Sequence, residues 1–445
     1  MFRVVDDWVK KAARERPEHA AVEAADGALT YSEFDHEANR ASSRLAGLGV
    51  GPGARVATTL PPGLDFAVLL HALPRLGAAL VPLNTRLPAE QQARQRELAG
   101  ADLLIDEQLG NAIGSAGAAT PARELDPAAV HTVLFTSGTS GEPRPVELTL
   151  ANHEASAAGS AAALGADPAD RWLCPLPLFH VGGLAVLLRC ARAGTTAVLH
   201  ERFDAQRVAA ELQDGSSTLA SLVPTMLVRL RDTGLERAPA LRALLLGGGP
   251  IPRALFAWAR EHELPVRTTY GMTETASQVV VADPGEASGP PVTGAELAIA
   301  PAGREILVRG PMVAAGALAN DGWLHTGDHG RLDERGHLHV EGRIKELIVT
   351  GGENVAPALV EATLLEHPAV RDAGVVGIAD PEWGEAVVAL VVLGGGVPAG
   401  DLRDWCATRL AGHEVPKRVE VVARLPRNAG GKLVRRDLTA LAASH

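Results

Sequence analysis

Between residues 216 and 270, apolar runs of strand length alternate with stretches of helix length. This alternation constrains the chain more than any other feature. Ser217 to Val223 reads as a strand, and Pro224 stands where a helix can begin, because its missing N–H would be unpaired there anyway. Leu241 to Leu246 is a short apolar run ending in Gly247-Gly248-Gly249, Pro252 opens an amphipathic helix, and Leu264 to Thr269 is strand-like again. The same rhythm occurs earlier, with Arg55 to Leu60 a strand, Gly63 to Leu76 a helix and Ala78 to Pro82 a strand. Such β-α-β runs predict a parallel sheet with helices on its faces. Ligands of such sheets bind beyond the carboxyl ends of the strands, where the glycine- and hydroxyl-rich turns of this chain fall.

The character changes after Gly342-Arg343. Ala358 to Glu366 and Leu402 to Leu410 read as helices, and Val370 to Ile378 and Ala386 to Leu393 as strands. The expected fold class is therefore α/β. A large N-terminal domain of αβ-layered sheets (1–342) is joined by a hinge to a small α+β C-terminal domain (346–445). Pro284 to Val292 reads as a loop, and no internal repeat is evident.

Composition narrows the function. The 445 residues carry 42 Lys plus Arg against 53 Asp plus Glu, a net charge of −11, which opposes non-specific binding to nucleic acid. Hydrophobic residues make up 46%, enough for a large core, and with aromatics at only 3% that core must be mainly Ala, Leu and Val. The longest apolar run, Ala386 to Leu393, is far short of the roughly 18 residues of a membrane span. The start, MFRVVDDWVKK, is charged and amphipathic, unlike a secretory signal. Cys174, Cys190 and Cys406 give neither a disulfide framework nor a metal spacing. A soluble cytoplasmic enzyme is expected, with small-molecule partners, and a homo-oligomer is compatible with the sequence.

The strongest chemical signal is Thr136-Ser137-Gly138-Thr139-Ser140-Gly141-Glu142-Pro143-Arg144, led into by an apolar strand (Val133 to Phe135) and followed by another (Val146 to Leu150). Four hydroxyls, two glycines and a cation in nine residues can wrap a polyphosphate. It is not a Walker pattern, since no Gly-Lys-Ser/Thr and no helix follow directly. A polar hairpin loop is the plainer reading of the spacing alone.

Taken with other segments, this loop resembles the adenylate-forming superfamily of acyl-CoA synthetases, peptide-synthetase adenylation domains and luciferases. The resemblance covers nearly the whole chain. It includes Leu29-Thr30-Tyr31, Val81 to Pro88, Thr269-Tyr270-Gly271-Met272-Thr273-Glu274-Thr275, Gly322-Trp323-Leu324-His325-Thr326-Gly327-Asp328, Gly342-Arg343-Ile344-Lys345-Glu346 and Pro426 to Lys432, in the family order.

The resemblance implies acyl-adenylate formation from ATP with Mg²⁺, followed by transfer to the thiol of coenzyme A. It implies that Thr136, Ser137, Gly138, Thr139, Ser140 and Gly141 hold the β- and γ-phosphates, with Thr139 also at the α-phosphate. Glu274, with Thr139, serves the metal. Tyr270 stacks on adenine, Gly271 belongs to the same motif, Gly248 and Gly249 line the adenine and acyl groove, and Thr273 reaches the α-phosphate. Asp328 takes the ribose hydroxyls with Arg343 nearby. Lys432 bridges the carboxylate and the α-phosphate. Lys345 is the hinge of a swinging C-terminal domain, and Gly351 and Gly352 face the thiol tunnel.

Two departures from the family pattern stand out. The phosphate loop continues Glu142-Pro143-Arg144-Pro145 where the family has Lys-Pro-Lys-Gly, which puts pyrophosphate handling and loop mobility in question. Ala356 stands where the family often has a larger residue.

Amino-acid-activating members place an Asp after a Phe where this chain has Phe179-His180, and His180 supplies no fixed negative charge. Local stretches, among them Pro177 to Leu184, Val223 to Leu227, Leu244 to Pro250 and Tyr270 to Val280, resemble the o-succinylbenzoate–CoA ligase branch, which serves menaquinone biosynthesis. A medium-chain or aryl acyl-CoA ligase is the rival within the superfamily. The o-succinylbenzoate substrate carries a second carboxylate that needs donors. His180, Arg189, Ser277 and Gln278 are the candidates, His180 also as a gate or wall of the acyl pocket. Against these roles stand plain ones: Arg189 paired with a buried acid, His180 a satisfied core histidine.

Overall fold

A computed structural model describes residues 5–107, 124–137, 143–249, 251–427 and 433–444. It is mixed α/β, with a large N-terminal part and a small C-terminal one. By contacts the chain divides into two compact units. One comprises Met1–Gly248, His262–Glu296 and Val308–Leu324; the other comprises Gly249–Glu261, Leu297–Leu307 and His325–His445.

The first unit contains an eight-stranded sheet whose centre is parallel. Arg171–Cys174, Thr196–Leu199, Leu219–Leu222, Ala243–Leu246 and Val266–Met272 run in one direction, and Ser277–Val281 closes one edge antiparallel. Pro224 occupies the first turn of the helix Pro224–Asp232. The strand expected at Leu264 to Thr269 runs instead to Met272, because Ser277–Val281 folds back on it and supplies hydrogen-bond partners.

The Leu29-Thr30-Tyr31 segment has a structural reason. Thr30 caps the helix Tyr31–Gly47 in a reciprocal capping box with Glu33. The buried Tyr31 hydroxyl lies 2.9 and 2.7 Å from the carbonyls of Cys190 and Thr195, which satisfies it and ties this helix to the following layer.

A second, five-stranded sheet in the same unit carries the phosphate-loop strands. Val130–Ser137 and Pro143–Thr149 form an antiparallel pair, with Pro143–Thr149 at the sheet edge. The edge position explains how Pro143 and Pro145 are tolerated, since a proline cannot donate to a neighbour on both sides. Thr149 then caps the helix Leu150–Leu164.

Leu324–Leu332 and Leu338–Arg343 form a hairpin, all of it but Leu324 in the second unit. Beyond it, Val370–Asp380 and Gly384–Leu393 pair along their length, and the helix Pro357–Leu365 packs its Val360 and Leu364 into the core around Val375, Val387 and Val391. Gly342 faces the methyl of Ala356, which a Cβ added at 342 would approach to 3.2 Å, so a small residue at 356 fits this close contact.

Candidate active site

The hairpin of Val130–Ser137 and Pro143–Thr149 presents Thr136 opposite Arg144, and Ser137 opposite Pro143, at its tip. The phosphate-loop residues Gly138, Thr139, Ser140 and Gly141, and the tail lysine Lys432, lie outside the described residues. Arg144 is exposed.

Three buried histidines were not singled out in the sequence: His131 on the strand Val130–Ser137, His153 on the helix Leu150–Leu164 and His71 on the helix Leu64–Ala72. His131 and His153 meet edge to face at 5.2 Å, and His71 packs edge-on against Phe34. His153 lies 2.9 Å from the Thr132 hydroxyl and His131 3.1 Å from the Leu70 carbonyl. Burial pushes His131 down to about 4 and holds His71 and His153 well below the usual histidine range. All three are therefore neutral packing groups at pH 7.

The turn after Val266–Met272 holds Thr273, Glu274 and Thr275 in one 3-10 turn. Tyr270 and Gly271 flank a bulge near the end of the strand, opposite Val280 and Gln278. A Cβ at Gly271 would lie 2.0 Å from the Ser277 carbonyl oxygen, so only glycine fits there. Gly247 is constrained in the same way, its Cβ position 2.3 Å from the Thr269 hydroxyl, and Gly248 has a φ of 80°. No described side chain pairs with the Glu274 carboxylate, and no cluster of three or more His, Cys, Asp or Glu among the described residues could cage a metal. One carboxylate beside hydroxyl-bearing turns suits Mg²⁺, which binds through one or two protein oxygens and completes its shell with phosphates and water.

The acid-recognition candidates come together only in part. Arg189 Nη2 donates to the Ser277 hydroxyl at 3.0 Å across 88 residues of sequence. Arg189 is 6% exposed, lies over the Trp172 ring at 5.5 Å, and its Nε has no hydrogen-bond partner. Burial pushes its guanidinium down to about 10, and among the described residues no carboxylate pairs with it. Its alternative role, pairing with a buried acid, therefore does not hold. The adjacent Gln278 donates instead to Ser160. His180 precedes the helix Val181–Ala193 as its N-cap, about two and a half turns from Arg189. It is exposed, with its ring 4.7 Å from that of Phe179, so it is not a core histidine.

The second unit contains the other nucleotide candidates. Asp328 and Arg343 are register partners, with Arg343 Nε donating to Asp328 Oδ1 at 2.7 Å. Lys345 is exposed in the 3-10 turn Ile344–Glu346. Gly351 and Gly352, with φ of 58° and 84°, form the two-residue turn between Ile348–Thr350 and Glu353–Val355, a geometry that selects glycine at both positions.

Sequence reasoning missed Trp172, Ser156 and Ser160. The only signal of the serines was two hydroxyls four residues apart in an alanine-rich helix.

Comparison with known proteins agrees with these motifs. The AMP-binding enzyme family model matches residues 9–318, and the AMP-binding enzyme C-terminal domain matches 359–432. A 2-succinylbenzoate–CoA ligase of Bacillus licheniformis is 40% identical over 97% of this chain and 99% of its own length, and one from Bacillus cereus is 37% identical over 99% of each. The solved o-succinylbenzoate CoA synthetase of Bacillus subtilis in complex with the acyl-adenylate intermediate OSB-AMP superposes with a TM-score of 0.91, at 36% identity and 98% coverage of both chains. The same enzyme in complex with ATP and magnesium ion also gives 0.91. The chain belongs to the AMP-binding enzymes and, within them, to the 2-succinylbenzoate–CoA ligase family.

Proposed function

We propose that this chain adenylates o-succinylbenzoate with ATP and transfers the acyl group to coenzyme A, a step of menaquinone biosynthesis. The observation that carries the choice of acid is the buried Arg189 guanidinium, which donates to Ser277 and has no carboxylate partner among the described residues. A buried charge without a counter-ion is costly, and the ring carboxylate of the substrate supplies one. Ser277 completes that subsite, Gln278 borders it, and His180 forms part of the acyl-pocket wall.

In the first step an oxygen of the succinyl carboxylate attacks the α-phosphorus. The bond to the bridging oxygen of the β-phosphate breaks, and pyrophosphate leaves. Thr136 to Gly141 hold the β- and γ-phosphates, and Thr139 and Thr273 reach the α-phosphate. Tyr270 stacks on adenine beside Gly248 and Gly249, and Asp328, with Arg343, accepts the ribose hydroxyls. Magnesium supplies charge neutralisation for the departing pyrophosphate, and Glu274 and Thr139 offer it hard oxygen donors. Lys432 spans the attacking carboxylate and the α-phosphate, where a fixed positive charge stabilises the transition state.

In the second step the thiolate of coenzyme A attacks the acyl carbonyl, the C–O bond to AMP breaks, and AMP leaves. A turn at Lys345, with the boundary between mobile parts at 342–346, exchanges Lys432 for the Gly351-Gly352 face.

Among the described residues no helix is long and apolar enough to cross a membrane. The three cysteines are free and buried, and burial pushes the Cys174 and Cys190 thiols up to about 12. Reduced, unreactive thiols suit a cytoplasmic enzyme.

The test is AMP release dependent on both ATP and coenzyme A, across a panel of acids. o-Succinylbenzoate is expected to exceed 4-oxo-4-phenylbutanoate, medium-chain acids and simple aryl acids by at least about tenfold in kcat/KM, the scale of one charge-assisted contact. Equal or better use of the monocarboxylates would favour the rival acyl-CoA ligase reading.

A further inference from the structure

Ser277 has a backbone conformation that residues other than glycine rarely adopt, φ of 115°, and it follows Ala276 at φ of 50°. Such a conformation is strained and persists only where the surroundings over-determine it. Here one helix does much of the determining. Ser156 and Ser160 lie four residues apart on Leu150–Leu164 and so share a face. Ser156 Oγ donates to the Ala276 carbonyl at 2.8 Å, and Gln278 Nε2 donates to Ser160 Oγ at 3.0 Å. Both serines are almost fully buried, at 3% and 1% exposure. A buried hydroxyl is unfavourable unless it is bonded, and these two use their bonds on the residues immediately before and after Ser277. From the 3-10 turn before it, Thr275 Oγ1 lies 2.6 Å from the Ser277 carbonyl. The outcome is a Ser277 hydroxyl fixed where Arg189 Nη2 meets it.

We propose that Ser156 and Ser160 are positioning residues that set the selection for acids carrying a second carboxylate. They act through Ser277 on the orientation of the Arg189 guanidinium. The inference rests on the substrate reading given above for Arg189.

Ser156→Ala and Ser160→Ala are assayed, after their melting temperatures are measured, with o-succinylbenzoate and with 4-oxo-4-phenylbutanoate, the same acid without the ring carboxylate. Each variant is expected to raise KM for o-succinylbenzoate about tenfold, the scale of one lost buried hydrogen bond. Its kcat stays within about threefold and its KM for the monocarboxylate within about twofold of the unsubstituted chain. Ser156→Thr, which keeps the hydroxyl, restores KM. An equal change for both acids, or none for either, overturns the proposal. Should Ser156→Ala fail to fold, Ser160→Ala and the milder Ser160→Cys carry the same comparison. If the unsubstituted chain itself shows no preference for the dicarboxylate, the substrate reading falls. If it shows the preference and the variants keep it, only the positioning role falls.

Discussion

Asp328 and Arg343 face each other across a hairpin, the nearly buried carboxylate accepting from the half-exposed guanidinium at 2.7 Å. The ion pair orients the Asp328 carboxylate. Asp328→Asn keeps the shape and removes the charge. It should raise KM for ATP at least about tenfold, as expected for loss of a charge-assisted contact, and leave KM for the acid nearly unchanged. ATP–pyrophosphate exchange at varied ATP measures this. A KM for ATP within twofold of the unsubstituted chain would remove Asp328 from the nucleotide site.

Arg189→Met separates binding from stability. The guanidinium is buried without a carboxylate partner among the described residues, so an apolar replacement should leave the urea midpoint unchanged or raised. KM for o-succinylbenzoate should rise about 10- to 100-fold, the range for a lost charged hydrogen bond. Activity with 4-oxo-4-phenylbutanoate should persist. Equal loss with both acids would contradict a role in recognising the second carboxylate.

Gly271→Ala tests the tightest backbone approach in the site. The new methyl would lie 2.0 Å from the Ser277 carbonyl oxygen. Relief requires the two strands to part, which should cost about 2 kcal/mol or more. Denaturant unfolding measures it. An unchanged midpoint would mean that the bulge at Tyr270–Gly271 yields freely.

The buried histidines give the fold a pH dependence with a definite sign. Their folded pKa values are lowered by burial, His131 to about 4. The unfolded chain takes up protons first, near pH 6.5. Their contribution is thus complete above about pH 6.5 and falls as pH drops toward 4. His131 alone should account for a loss of about 2 kcal/mol between pH 7.5 and pH 5. Urea titrations at the two pH values measure this, and His131→Phe should flatten the dependence. An identical slope in the variant would contradict the assignment.

The features legible in the sequence were those with local causes. Pro224 marked a helix start because its effect is confined to its own turn. The Val370–Asp380 and Gly384–Leu393 strands were readable from short apolar runs, but the end of Val266–Met272 was not, since a partner strand elsewhere decided it. Arg189, Ser277 and Gln278 were recognisable as candidates by residue type. That Arg189 meets Ser277 while Gln278 turns to Ser160 depends on packing across 88 and 118 residues, which no local pattern encodes. His71, His131 and His153 were silent for the same reason: a neutral buried histidine looks in sequence like any other.

The most direct test of the two-step account is a single turnover without coenzyme A. Enzyme in excess is mixed with o-succinylbenzoate, ATP and Mg²⁺, quenched, and then in a parallel sample chased with coenzyme A. The account predicts one equivalent of pyrophosphate and a bound acyl-adenylate before the chase, and thioester plus AMP after it. Lys432→Ala should slow the first phase about a hundredfold or more and spare thioester formation from supplied acyl-adenylate. Pyrophosphate appearing only after coenzyme A is added, ADP and phosphate as products, or equal slowing of both phases in Lys432→Ala would contradict it.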